Sequence, residues 1–308
     1  MSTRRLVVIA GVTAALAVVP AAASAASAQG RFTTIDVPGA ADTGAIDIND
    51  VGVVVGSYFD HHSSVEHGLR GKGGAFTTLD VPGAIATVPS GVNDRKVVAG
   101  SYKDSHQVFH GFTDRGGHLY AAINDPHAGS AKRQGTQAQY LNNHGVLAGD
   151  YIDAHGVFHG FLNKKGRFTT INHPHAGTSK GQGTIVFYVN DHGVLTGQYI
   201  TNRGQTVSFT GRPGAFTTIT DPAAAPFSTF AATTNDSGLT VGYYLDAHGV
   251  FHGFYERGGV FKTVNDPHAG TKPGEGTLLQ GSSNTGVGAG LYIDSSGNFH
   301  GFTFTPAR

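Results

Sequence analysis

The chain has 308 residues, with 21 Lys and Arg against 21 Asp and Glu, and no cysteine. Balanced charge gives no global field for nucleic acid or acidic membranes, and the missing thiols exclude disulfides and cysteine chemistry. Only 14% of residues are charged while 46 are glycine, which suits many tight turns between half-buried strands.

Residues 1–28 read as a bacterial-type secretory signal. Arg4 and Arg5 precede an apolar run from Leu6 to Ala23, broken by Pro20, and two small-x-small sites follow, Ala23-Ser24-Ala25 and Ala26-Ser27-Ala28. Cleavage is expected before Ala26 or Gln29, which predicts a secreted or periplasmic protein. Thr3-Arg4-Arg5 lacks the rest of a twin-arginine motif, so the general export route is expected. The run is short and alanine-rich, which argues against an uncleaved anchor, and no later apolar run is long enough to span a bilayer.

Residues 29–308 form one unbroken repeat domain. Arg31 to Asp36 is a strand with no partners ahead of it, and six copies of a longer pattern then follow. Each opens on a threonine (Thr43, Thr87, Thr136, Thr184, Thr229, Thr277), and thirteen residues later comes a glycine (Gly56, Gly100, Gly149, Gly197, Gly242, Gly290) followed by x-Tyr. Within a copy the order is a first strand (Gly44 to Ile48), an Asn-Asp-x-Gly hairpin turn (Asn49 to Gly52) and a second strand (Val53 to Tyr58). After an Asp-x-x-Gly turn (Asp153 to Gly156) come a third strand (Val157 to Leu162) and a fourth (Arg167 to Ile171). Four short strands every 44 to 49 residues match a blade of a β-propeller. The last copy stops at His300-Gly301-Phe302 and lacks a fourth strand, so the amino-terminal strand is expected to complete it. The reading is an all-β, six-bladed β-propeller; a right-handed β-solenoid is the alternative, though its rungs are usually shorter.

Gly-Ile-Asn-Asp-x-Gly, Val-Gly-x-Tyr, His-Gly-Phe and Phe-Thr-Thr-Ile-Asp-x-Pro-Gly-Ala together resemble the HAF-type extracellular repeats of secreted bacterial proteins, over residues 31–304. The resemblance implies export and a repeat fold and assigns no activity. Copy four departs from it with Val207-Ser208-Phe209, and copy six with Ser283 at the Asn position.

His67, His110, His159, His252 and His300 recur on the third strand, which lies ~10 Å outside the innermost one. They cannot converge within the roughly 2 Å reach of metal bonds, so buried imidazoles bonded to a threonine or to the Gly-x-Tyr tyrosine are expected. Tyr58, Tyr102, Tyr151, Tyr199, Tyr244 and Tyr292 likewise read as packing, and the Asp turns as turn chemistry without the alternating oxygen ligands of a calcium loop.

Function is sought where copies differ. The connections Pro126 to Thr136, Pro174 to Thr184 and Pro267 to Thr277 are longer than the others and share Pro-His-Ala-Gly. They carry His127, Lys132 and Gln134; His175, Lys180 and Gln182; and His268, Lys272 and Glu275, a polar rim expected at the channel mouth. The nine side chains are the candidate ligand-binding set. The motifs require no cofactor, but His127, His175 and His268 would suit a divalent metal if they converged. Four residues after the threonine the copies read Asp47, Gly91, Tyr140, Tyr188, Thr233 and Gly281. Tyr140, Tyr188, Asp150 and His175 are the candidate acid–base group. No nucleophile elbow, zinc-protease motif, phosphate loop or dinucleotide fingerprint is present, and tryptophan, a favoured sugar-stacking residue, is absent.

These features predict a secreted binding or interaction module for a polar extracellular or cell-surface ligand, with glycans included. A secreted hydrolase or lyase at the same mouth, metal-assisted or not, is the alternative from another class, and a structural surface protein is the third. No nucleic-acid partner and no membrane span after cleavage are expected.

Overall fold

The computed structural model describes residues 24–27, 30–60, 65–119 and 122–307. Most of the leader-like segment lies outside them. Its end, β1 (Ser24–Ser27), pairs with β2 (Gly30–Ile35). Blade one holds β3 (Ala40–Ile48), β4 (Val54–Asp60), β5 (Glu66–Lys72) and β6 (Ala75–Leu79), and blade two β7 (Ala86–Val92), β8 (Val97–Lys103), β9 (Phe109–Arg115) and β10 (His118–Leu119). Blade three holds β11 (Gly135–Leu141), β12 (Val146–Ile152), β13 (Phe158–Lys164) and β14 (Arg167–Ile171). Blade four holds β15 (Gly183–Val189), β16 (Leu195–Ile200), β17 (Thr206–Arg212) and β18 (Ala215–Ile219), and blade five β19 (Thr229–Thr234), β20 (Thr240–Leu245), β21 (Phe251–Arg257) and β22 (Val260–Val264). Blade six has β23 (Gly276–Ser282), β24 (Gly288–Ile293) and β25 (Phe299–Pro306), and takes β2 as its outer strand in the register Gly30↔Pro306 to Ile35↔Gly301.

The first strands touch in a closed circuit, β3 to β7, β11, β15, β19, β23 and back to β3. The protein is therefore a six-bladed β-propeller, and the solenoid alternative fails because the first and last units meet.

What closes the circuit is the turn after each first strand. In five turns the leading Asn accepts a backbone N–H four residues on through Oδ1 (Asn49 from Val53, 2.8 Å). Its Nδ2 donates to the backbone carbonyl of the next turn, from Asn49 to Asn93 and onward to Asn142, Asn190, Asn235 and Ser283. Ser283 has no amide to continue that series. A second ring, built by the following residue, closes the seam. The N–H of Asp50 donates to Asp94 Oδ1, Asp94 to Asn143, Asn143 to Asp191, Asp191 to Asp236, Asp236 to Asn284, and Asn284 back to Asp50 at 2.6 Å. Copies three and six carry Asn at this position, and each Nδ2 bridges two carboxylates: Asn143 joins Asp94 to Asp191, and Asn284 joins Asp50 to Asp236. Six carboxylates there would repel and offer no side-chain donor. Copy two lacks the turn glycine, and Lys96 takes the positive φ, 60°, in its place.

Within a blade the repeated residues interlock. A Cβ on Gly149 would lie 2.1 Å from the Gln137 carbonyl and 2.8 Å from the Phe161 ring, so the glycine is what lets that fully buried ring cross the second strand. Gly160 makes room for Val186 of the next blade. In copy four the equivalent Ser208 instead donates to the Thr229 carbonyl and accepts from Ala231 N–H. This seam needs those bonds: a parallel bridge such as Phe158↔Gly183 links blades one to four and blade five to six, but none pairs β17 with β19. The opening threonines hold the connections, each Oγ1 accepting the N–H of the residue before the loop proline (Asp125 to Thr136, 2.8 Å).

Replacing Asn284 by Asp removes two donors to carboxylates, about 1.5–3 kcal/mol each. At about 2–4 °C per kcal/mol for a domain of this size, the melting temperature should fall by roughly 6–24 °C. The loss should shrink in high salt, because added repulsion is screened; scanning calorimetry at two salt concentrations checks both.

Candidate functional site

The third-strand histidines are absorbed by the fold, with partners other than those expected. His110, His159 and His252 each donate from Nδ1 to the asparagine after the fourth strand (Asn124, Asn172, Asn265) at 2.9–3.0 Å. His300 uses Asp36 and His67 uses Asp80. Each of His110, His159, His252 and His300 stacks on its Gly-x-Tyr tyrosine at 4.8–5.1 Å. Threonine bonds the tyrosine hydroxyl instead, as between Thr78 and Tyr58 at 2.8 Å. Blade four has Val207 here, and its Tyr199 stacks face to face on His173 from the preceding loop at 3.8 Å. Burial, then the neighbouring His175, lowers the His173 pKa to about 4, so its neutral Nδ1 accepts the His175 N–H.

The long loops lie on the face where the first strands begin. Gln134 and Gln182 clasp their own loops: Oε1 accepts from Ala131 and Ser179 N–H, and Nε2 donates to the Ala154 and Asn202 carbonyls. Glu275 accepts from Lys272 N–H, and Lys272 Nζ sits 3.9 Å from its other oxygen. His127 and His268 bond Asp125 and Asp266 in their own loops. His127, His175 and His268 lie 6.2, 6.4 and 6.0 Å from Tyr151, Tyr199 and Tyr292, each a tyrosine of its own blade. Among the described residues no group of three His, Cys, Asp or Glu side chains is placed to hold a metal ion. Of the nine candidate side chains, the loops present Lys132, Lys180, Lys272 and the three histidines to solvent, beside the exposed Arg133.

The inner strands carry a β-bulge in every blade, at Ile46, Ser90, Gln139, Phe187, Ala232 and Gln280. A bulge re-aims one side chain. Five of these residues, all but the buried Gln139, remain partly accessible on strands that are mostly buried, so they border the channel. Sequence reading chose the next position along, and those residues form a plug towards the turn ring. Tyr140 and Tyr188 meet at 4.0 Å, and both are buried. Gly91 makes space for the Tyr140 ring and Gly281 for Asp47. Thr233 Oγ1 is buried without a partner.

The candidate acid–base residues fall into separate places. Tyr140 and Tyr188 touch. Asp150 is fully buried and accepts from Gln137 Nε2 at 3.1 Å and Gln139 Nε2 at 3.4 Å. His175 packs beside Tyr199, which pairs with Thr184 at one end of β15, while Tyr188 pairs with Thr196 towards the other. At about 3.3 Å per residue, the strand separates the two ends by roughly 13 Å.

Burial pushes the Asp47 pKa up to about 8 against the opposing Val92 N–H, and Asp150 up to about 7 against its two glutamine donors. Burial also lifts Glu66 to about 8, with Lys103 opposing.

No protein-family model matches the chain, and no curated protein matches it in sequence. Solved structures share its fold. A protein of unknown function from Dyadobacter fermentans aligns with TM-score 0.58 and 8% identity over 91% of this chain and 98% of its own. TolB from Acinetobacter baumannii aligns at 0.53 and 9% over 87% of this chain and 65% of its own. The six-bladed β-propeller lectin of Aleuria aurantia aligns at 0.48 and 10% over 92% of this chain and 93% of its own. At such identities the likeness is one of fold.

Carboxyls with raised folded pKa values bind more protons folded than unfolded. Their stabilisation is complete below the ordinary carboxylate range and is lost as pH rises to about 8. Asp104 and Asp246, held low by the Val108 and Val250 N–H groups, act oppositely in acid. Melting temperature should therefore peak in mildly acidic buffer and fall towards pH 8.5, and Asp47→Asn should flatten that alkaline fall while leaving the acidic side unchanged.

Proposed function

We propose that the protein is an exported binding module that takes a polar, hydroxyl-rich extracellular or cell-surface ligand at the channel end ringed by the long loops. The observation that carries this reading is the inequality of the two ends. Towards the turn ring the axis is filled by Tyr140, Tyr188 and Asp47. Towards the loops, inner-strand residues Phe187, Phe230 and Gln280 keep partial access to solvent beneath exposed Lys132, Lys180, Lys272, His127, His175 and His268. Hydrogen-bond donors around a concave mouth suit a ligand bound without chemistry. The hydrolase or lyase reading lacks support of this kind, since Asp150 has both oxygens engaged and His175 lies apart from Tyr188. The leader-like amino terminus and the HAF-type motifs support export.

Expressed with its own leader in a bacterium, the chain should leave the cytoplasm with Ala26 or Gln29 as its new amino terminus, read by mass spectrometry. A glycan array should then give discrete positives, and single replacements of Lys132, Lys180, His175 or His268 by Ala should weaken them by roughly two- to fivefold each, since rim contacts are individually small. A blank array, or complete loss on one replacement with turnover of the glycan, would sink the binding-module reading.

A further inference from the structure

One side of the channel, between blades four and five, is aromatic. Phe187 is the bulge residue of β15, and Phe230 is the second residue of β19; their rings stand 6.1 Å apart at 22°. Behind them Tyr243 stacks on Phe230 at 4.7 Å and 9°. Both phenylalanines stay partly accessible although aromatic rings gain most from full burial. The wall stands at one of the two seams, the other being between blades six and one, where no strand bridge joins the neighbouring blades.

The rim above it holds a second anomaly. Phe227, two residues before the opening threonine Thr229, is 56% exposed and has φ +60°. That backbone conformation is one that a bulky side chain adopts only against steric resistance, and such positions cluster at functional sites. The loop is clamped from Ala225 N–H to the Leu245 carbonyl and from Leu245 N–H to the Ser228 carbonyl. The Phe227 ring gains little burial there and a glycine would relieve the backbone, so the fold does not account for it.

Of the other bulge residues, Ser90, Gln139 and Gln280 are polar and uncharged, and Ile46 and Ala232 are apolar. Gln280 of blade six and the buried Gln139 of blade three flank the wall, and Ser90 faces it from blade two. Asp150 fixes the Gln139 amide through its Nε2. Below them lie the partnerless Thr233 hydroxyl and Asp47. Burial favours the protonated carboxyl at Asp47 and Asp150, so neither places a fixed charge before the ligand in mildly acidic buffer.

Flat apolar rings on one side and amide and hydroxyl groups on the others match a ligand with an apolar face and a hydroxylated edge. We propose that the channel binds one neutral sugar ring, its apolar face against Phe187 and Phe230 and its hydroxyls towards Gln139, Gln280 and Ser90, with Phe227 covering the next ring of the chain at the rim. This rests on the binding-module reading and narrows it to neutral oligosaccharides held by aromatic contact, as distinct from anionic ones held by the loop lysines.

The test uses the exported chain with maltohexaose, cellohexaose, xylohexaose, chitohexaose and hexagalacturonate, each followed by titration calorimetry and melting. At least one neutral hexasaccharide should bind and hexagalacturonate should not. Phe187→Leu and Phe230→Leu keep apolar volume but lose the flat face, and each should weaken binding about tenfold with the free protein's melting temperature kept within about 4 °C. Phe227→Gly should weaken binding while the free protein melts no lower than the parent, a pairing that a structural role for the ring would not give. Lys180→Ala should weaken neutral-sugar binding by no more than the roughly two- to fivefold of a rim contact, well short of the loss in the phenylalanine variants. Preference for hexagalacturonate, lost in Lys180→Ala and retained in Phe187→Leu, would overturn the aromatic site while leaving the binding module standing. Failure of all four neutral sugars also overturns it; the broader reading falls only if the glycan array is blank as well.

Discussion

The fold depends on the double ring of hydrogen bonds between the hairpin turns at the narrow end of the propeller. Six inner strands end close to the axis, where their turn N–H groups face the neighbouring blade rather than bulk water. The ring answers each of those donors with a side-chain oxygen of the following turn. Four of the six acceptors are carboxylates, and the two amides at Asn143 and Asn284 lie between them so that each carboxylate receives one N–H of an amide group. At the seam between the last and first blades the inner asparagine series is interrupted by Ser283, and of the two turn rings only the outer one crosses. Departures that looked like decay of the repeat are therefore what let a ring of like residues hold together.

Closure has a consequence for where a site can form. Once the blades are locked, their faces pack on one another, and each strictly repeated residue is consumed by that packing. In blades two to six the Gly-x-Tyr glycine admits a phenylalanine ring, the His-Gly-Phe glycine admits a residue of the next blade, histidine bonds the Asn or Asp after the fourth strand, and threonine bonds the tyrosine hydroxyl. Positions that the scaffold does not need are left at the bulge of each inner strand and in the connections on the open face. These are the positions that differ between copies. Ile, Ser, Gln, Phe, Ala and Gln stand at the six bulges, so a nearly six-fold frame encloses a lining with no symmetry.

The same packing sets the electrostatics. Asp47, Asp150 and Glu66 lie where water cannot solvate a charge, and their pKa values rise for that reason. Asp47 and Asp150 adjoin the channel. Their desolvation makes the lining a neutral set of donors and acceptors, while the lysines remain on the exposed loops. Uncharged interior and basic rim thus offer two different chemistries to anything that enters.

The sequence by itself determined the architecture. The unbroken thirteen-residue spacing, the four strand segments per copy and the missing fourth strand after Phe302 led to the blade count and to the pairing of Gly30–Ile35 with the last blade, because strand order and turn chemistry are local properties that the chain writes in order. Structural roles for the repeated histidines were legible too, from their distance to the axis, although their Asn and Asp partners were not. The channel lining was not legible. The position four residues after the threonine pointed to Tyr140 and Tyr188, and the bulge one residue earlier turned Phe187 towards the open channel instead, while Gln139 is buried against Asp150. Gln134, Gln182 and Glu275 looked like rim donors, yet they clasp their own loops. Neither outcome follows from residue spacing: the bulge shifts the alternation inside a single hairpin, and the clasps join residues three and twenty apart that meet only through the folded path of loop and blade.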